Sequence, residues 1–225
     1  MKKYFFLFAI TFCLPVFSCT NKDYRVFDSF KNYEGANAFA TELLKTDFVI
    51  QERVLKILEK ALMLLEEDDV LVHKETFEEI IEMMNYFFDT CHFEKENVIL
   101  FPFVKNVQGG MEKKDFLGQL LMEHISVRDR MRTLSGAVEE IHLGKKARKR
   151  IRKIGYGYIK FVQKHIKMEE KILFPWLNEL LSHDDQLVLI ERLKAVEDRD
   201  ISDGLHEKYS IMMEKLENQL AVYSK

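Results

Sequence analysis

Two stretches of eleven residues repeat the same chemistry. His92-Phe93-Glu94-Lys95-Glu96-Asn97-Val98-Ile99-Leu100-Phe101-Pro102 and His165-Ile166-Lys167-Met168-Glu169-Glu170-Lys171-Ile172-Leu173-Phe174-Pro175 both read His-x3-Glu-x3-Leu-Phe-Pro. Phe88 and Phe161 each stand four residues before the His. On a helix, the i, i+4 spacing puts imidazole and carboxylate on one face. Helical bundles build dinuclear metal sites from inward-facing His and Glu of this kind. Imidazole with carboxylate suits iron, and a carboxylate can bridge two ions. A further imidazole lies in Leu121-Met122-Glu123-His124-Ile125. Taken alone, a His on an apolar face reads as a core residue. Three imidazoles and two carboxylates from three helices make His124 the fifth candidate ligand, beside His92, Glu96, His165 and Glu169.

Elements that position such a set must be long helices, and the chain supplies them. Its prolines are Pro15, Pro102 and Pro175, so two long stretches carry none. Apolar residues recur at helical spacing from Ala36 to Glu67 and again from Lys74 to about Leu100. Asn106 to Gly110 signals a turn, and a third helix follows from Lys113 to Ile141. A fourth runs from Ala147 to about Leu173. Its basic start, Lys145 to Lys153, opposes the helix dipole and is expected to fray or to sit on solvent. Ser182-x-x-Asp185 resembles a capping box that opens a shorter helix, and a last one covers Gly204 to Ala221. Helices joined by short connections predict an all-α fold: an antiparallel up-down four-helix bundle with one or two appended C-terminal helices. In that topology helices two and four run in the same direction, which sets the two motifs at one depth.

Composition agrees. Hydrophobic residues at 47% and charged residues at 32% exclude a disordered chain. Few Gly (9) and Pro (3) argue against a turn-rich β fold, and three Cys exclude a disulfide scaffold. A net charge of −3 gives no electrostatic basis for nucleic-acid binding. The amino terminus stands apart. Lys2 and Lys3 precede an apolar run, Tyr4 to Ser18, too short to span a bilayer, and this reads as an export signal. It ends in Val16-Phe17-Ser18-Cys19, which resembles the lipobox of bacterial lipoproteins and implies cleavage before Cys19 and acylation of its thiol. Cleavage removes Lys2 and Lys3 and takes the charge from −3 to −5. The expected organisation is a signal peptide over 1–18, a tether over 19–35, the bundle over 36–180 and a helical extension over 181–225, in a protein anchored to a membrane of the bacterial envelope.

The doubled motif, with Glu123-His124 between its copies, resembles the hemerythrin-like (HHE cation-binding) family in its bacterial His/Glu form, over about residues 40 to 180. The Leu205-His206-Glu207-Lys208-Tyr209 stretch is also similar to tails found there. The resemblance implies a non-haem di-iron site with Glu96 and Glu169 bridging and His92, His124 and His165 terminal. Two departures stand out. Phe48 occupies the place of the family's helix-one His, and Phe cannot ligate. Asp47 is expected to be rotated off the inward face. Gln51 is a further polar residue near it, and Glu52, one turn away, reads as a solvated charge rather than a substitute ligand. Arg128 stands four residues after His124, where oxygen carriers have a second His. The iron nearest helix one should therefore be the weaker.

Other residues have plainer readings. His73, His142, His183 and His206 are expected at the surface, Cys91 and Tyr158 in the core, and Trp176 as a core plug. Three function classes follow: a module that binds O2, NO or peroxide or holds iron; an enzyme of oxidative or nitrosative defence; or a structural bundle with a degenerate site.

Overall fold

A computed structural model describes residues 39–66 and 72–223, apart from the side chains of 201 and 202. All of them fall in one compact unit, Glu34–Lys225. The expected signal peptide, Cys19 and tether lie outside the described residues.

The protein is all-α. Helix α1 is Ala40–Leu64. Helix α2 covers 74–105 as Lys74–Met84, two π-helical stretches at Asn85–Phe93 and Lys95–Leu100, and Phe101–Lys105. Helix α3 is Lys114–Val138. Helix α4 covers 145–180 as Lys145–Met168, a π-helical Glu169–Leu173, and Phe174–Leu180. Helices α5 (His183–Ser202) and α6 (Leu205–Ala221) follow. Each of α1 to α4 packs against its chain neighbours, and α4 closes the ring on α1. The connections after α2 and α3 are broken by Gly109 (φ 85°) and Gly144 (φ 90°), left-handed or extended positions open to residues without a Cβ.

One expectation about helix ends is corrected. Helices two and four do not stop at their prolines; they run through Pro102 to Lys105 and through Pro175 to Leu180. Each proline sits in the first turn of a new α-helical register, directly after a π-helical stretch. There its missing N–H removes no regular i→i−4 bond, which is why the rod continues. The basic start of helix four is regular from Lys145 onward. The side chains of Arg150 and Arg152 reach acceptors on Glu140 and Glu66, and the rest of the basic run lies largely on solvent.

The C-terminal helices cover α1 and α2. At the start of α5 the Ser182 hydroxyl accepts from the Asp185 N–H, and the Ser182 N–H donates to the Asp185 carboxylate. This is the reciprocal cap read in the sequence. From the next turn, Gln186 Oε1 accepts from the N–H of Ala40 at 2.8 Å, so α5 caps α1. Phe77, Phe88, Phe93, Phe101, Phe174 and Tyr158 are fully buried, with Leu43, Leu44, Leu58 and Leu62 around them. Burying each such side chain stabilises the fold by roughly 1.5–3 kcal/mol. Trp176 is only half-buried, its ring beneath the Lys113 ammonium at 5.8 Å, and is no core plug.

Candidate metal centre

All five candidate ligands lie inside the ring of α1 to α4, and each is at most 2% exposed. Donor atoms of Glu96, His124, His165 and Glu169 lie within 4.8 Å of one another. His165 Nε2 stands 2.8 Å from Glu169 Oε1, and His124 Nε2 stands 3.2 Å from Glu96 Oε2. His92 Nε2 borders the same carboxylates, 3.4 Å from Glu169 Oε2 and 3.8 Å from Glu96 Oε2. His92 and Glu96 are on π-helical turns of α2, and Glu169 opens the π-helical turn of α4. Widened turns of this kind are frequent at functional sites.

The other ring nitrogen of each imidazole is tied from the preceding helix. His92 Nδ1 pairs with Asp47 Oδ2 of α1 at 2.9 Å. His124 Nδ1 pairs with Asn97 Oδ1 of α2 at 2.7 Å. His165 Nδ1 pairs with Glu123 Oε2 of α3 at 2.9 Å. An oxygen acceptor assigns the proton to Nδ1 and turns the Nε2 lone pair inward. Asp47 is thus buried and points inward, contrary to the expected rotation off that face. Gln51, also buried, donates to the carbonyl of Phe87, while Glu52 is exposed and supplies nothing to the site.

Phe48 fills the remaining side. Its ring centroid lies 5.0 Å from that of His92 and stacks at 5.5 Å on Phe174. Phe93 stacks on His124 at 3.9 Å and meets His165 edge-on. Arg128 is held by Asp89 and lies 5.7 Å from the Phe93 ring centroid. A groove of about 390 Å³ is lined in part by Asn85, Asp89, Arg128 and Met131. Tyr158 is fully buried beside Phe88, in the core as expected. His73, His142 and His183 are exposed, but His206 is buried and stands 3.3 Å from Glu197, because α6 folds over α2.

The electrostatics suit a cation. Burial opposes the charged form of His92, yet Glu96, Asp47 and Glu169 outweigh it and raise its pKa to about 10. His165 is likewise raised to about 10 against burial, by Glu169, Glu123 and Glu96. Burial and then the neighbouring Glu169 charge push Glu96 up. Burial also opposes ionisation of Glu169, but His165 and the other imidazoles hold its carboxyl well below the ordinary range. Both oxygens of Glu96, the Nε2 atoms of His124 and His165, and Glu169 Oε1 are buried and make ionic contacts with one another but no well-aligned hydrogen bond. A metal cation between them satisfies all five, so the donor set fits one.

The sequence profile described as "Hemerythrin HHE cation binding domain" matches residues 49–177 and, in a second overlapping register, 115–221. The chain belongs to this family. Its hemerythrin-type fold and cation-binding character follow. No curated relative matches the chain. The first hemerythrin register spans most of α1 and all three imidazole-bearing helices, while the second reaches from α3 through α6.

The residues that sequence reasoning missed are the anchors. Asn97 and Glu123 each adjoin a candidate ligand in the chain, and that adjacency was the available signal. Asp47 was signalled only by being an acidic residue within an apolar helical stretch.

Proposed function

We propose that the chain is a non-haem iron protein whose centre, held by His92, Glu96, His124, His165 and Glu169, binds O2, NO or peroxide, or simply holds iron. The carrying observation is five buried donors around one locus, behind three imidazoles whose Nε2 atoms are fixed inward. Nitrogen and carboxylate oxygen donors suit iron. Four of the donors surround one point and support one firmly held ion. A second ion would draw on His92 beside the same carboxylates and would be the weaker, because α1 offers Phe48 where a ligand would be needed. Five side chains supply roughly seven bonds against about twelve for two octahedral ions. Positions left open on iron suit a small ligand, and iron supplies the redox chemistry such ligands require.

Phe48 also favours the one rival, a structural bundle whose site holds no metal. Iron content after anaerobic purification decides between them: roughly one to two iron atoms per chain are expected. His165→Ala is expected to lose them and the exposed His183→Ala to keep them. Absence of metal from the wild type, with thermal stability unchanged by chelation, supports the rival. Turnover of peroxide or NO beyond one equivalent per site marks an enzyme rather than a carrier. The lipobox-like Val16-Phe17-Ser18-Cys19 supports export and anchoring of Cys19 in a membrane of the bacterial envelope. Labelled palmitate is expected in the wild type and not in Cys19→Ser.

A further inference from the structure

Beside the candidate centre lies a second buried polar cluster. It joins Asp47 of α1, Cys91 and Lys95 of α2, Glu197 and Asp200 of α5, and His206 of α6, all at most 6% exposed. Donor atoms of Cys91, Asp200 and His206 lie within 4.8 Å of one another, as do those of Asp47, Cys91 and Glu197. Sets of this kind suggest another metal, but a cation is already there. The Lys95 ammonium donates to Asp47 Oδ1 at 2.9 Å and Oδ2 at 3.1 Å, and also to Glu197 Oε1. The Cys91 thiol donates to that same Glu197 oxygen at 3.8 Å. Burial and then the Lys95 charge lower the pKa of His206.

Asp47 therefore has two duties, since the oxygen that accepts from Lys95 at 3.1 Å also accepts from His92 Nδ1 at 2.9 Å. We infer that Lys95, anchored by Glu197 of α5, is a positioning residue that holds Asp47 in register against His92 and so ties the C-terminal hairpin to the metal centre. The inference rests on the iron-binding reading above. Its physical basis is that a buried carboxylate needs a countercharge: a His92 that held metal would be neutral, which leaves Lys95 as the cation opposite Asp47. A ligating His whose outer partner is lost typically binds metal about 10–100-fold more weakly.

Anaerobic competition of full-length protein against a chromophoric chelator, with Fe(II) as the probe, tests this. Lys95→Met, of similar volume, is expected to weaken Fe(II) binding about tenfold or more. Adding Asp47→Asn removes the stranded charge and keeps an oxygen acceptor for His92, so the double variant is expected to recover to within about threefold of wild type. Tyr86→Phe, which removes the Tyr86–Asp200 bond of the same interface (3.2 Å), is expected to lower the melting temperature and leave Fe(II) affinity unchanged. Fe(II) binding by Lys95→Met within about twofold of wild type overturns the inference. So does a loss that Asp47→Asn fails to restore, since that marks general packing damage. A wild type that binds no Fe(II) overturns the iron reading itself, and this inference with it.

Discussion

Phe48 is the residue on which the site's asymmetry turns. Its ring lies between His92 and Phe174, so a smaller ring with a donor nitrogen fits the same place. Phe48→His is expected to raise affinity for a second Fe(II) by roughly tenfold or more, a gain of ~1.4 kcal/mol. Isothermal titration should show stoichiometry moving toward two per chain. The same change puts an unpartnered imidazole beside an aromatic stack, so the metal-stripped variant should lose about 1–3 kcal/mol in urea unfolding. At this scale much was readable in the chain. The two His-x3-Glu spacings and the lone His124 named five side chains that the fold brings together in its interior. Asp47 was misjudged because an ideal 3.6-residue wheel places it off the ligand face, and the wheel does not show that its partner, His92, reaches across from α2. Lys95, Glu197 and His206 were illegible for a related reason: their burial comes from the docking of α5 and α6, and no local pattern encodes it.

Among the elements, α5 carries a local device that can be tested alone. Removing the Ser182 hydroxyl leaves the Asp185 N–H without its side-chain acceptor. Ser182→Ala is expected to cost about 1 kcal/mol, which lowers the melting temperature by roughly 2–4 °C in a chain of this size. Iron content should not change, because Ser182 lies at the exposed start of α5. Calorimetry and metal analysis on one preparation check both halves. Helix number and order followed from apolar periodicity and from Asn106–Gly110, Gly144 and Ser182. The π-helical turns at Asn85–Leu100 and Glu169–Leu173 did not, since apolar residues three to five apart fit an α-helical and a π-helical turn alike. Nor did the continuation through Pro102 and Pro175, which depends on those same turns.

For the molecule as a whole, acidity should act in opposite directions on the two states. His92 and His165 are raised from the ordinary 6.5 to about 10 in the folded protein. A raised imidazole stabilises the fold fully below pH 6.5 and loses that contribution as pH climbs through about 10. Metal-stripped protein is therefore expected to become less stable in denaturant between pH 6.5 and 10. Metal must displace those protons, so Fe(II) binding should tighten over the same range and fail on acidification. Paired denaturation and chelator titrations at several pH values check the two opposite slopes. The family was legible from one repeated motif and the helix order from apolar periodicity, whereas the way the rods are fastened was not. Asp47 to His92, Asn97 to His124 and Glu123 to His165 form a sequence of handholds, each helix gripping the next one's ring. A rod that slides along its neighbour must swivel an imidazole as it goes. Occupancy of the centre thus serves as a gauge of helix alignment, and iron should leave at the first slippage, well before the rods part.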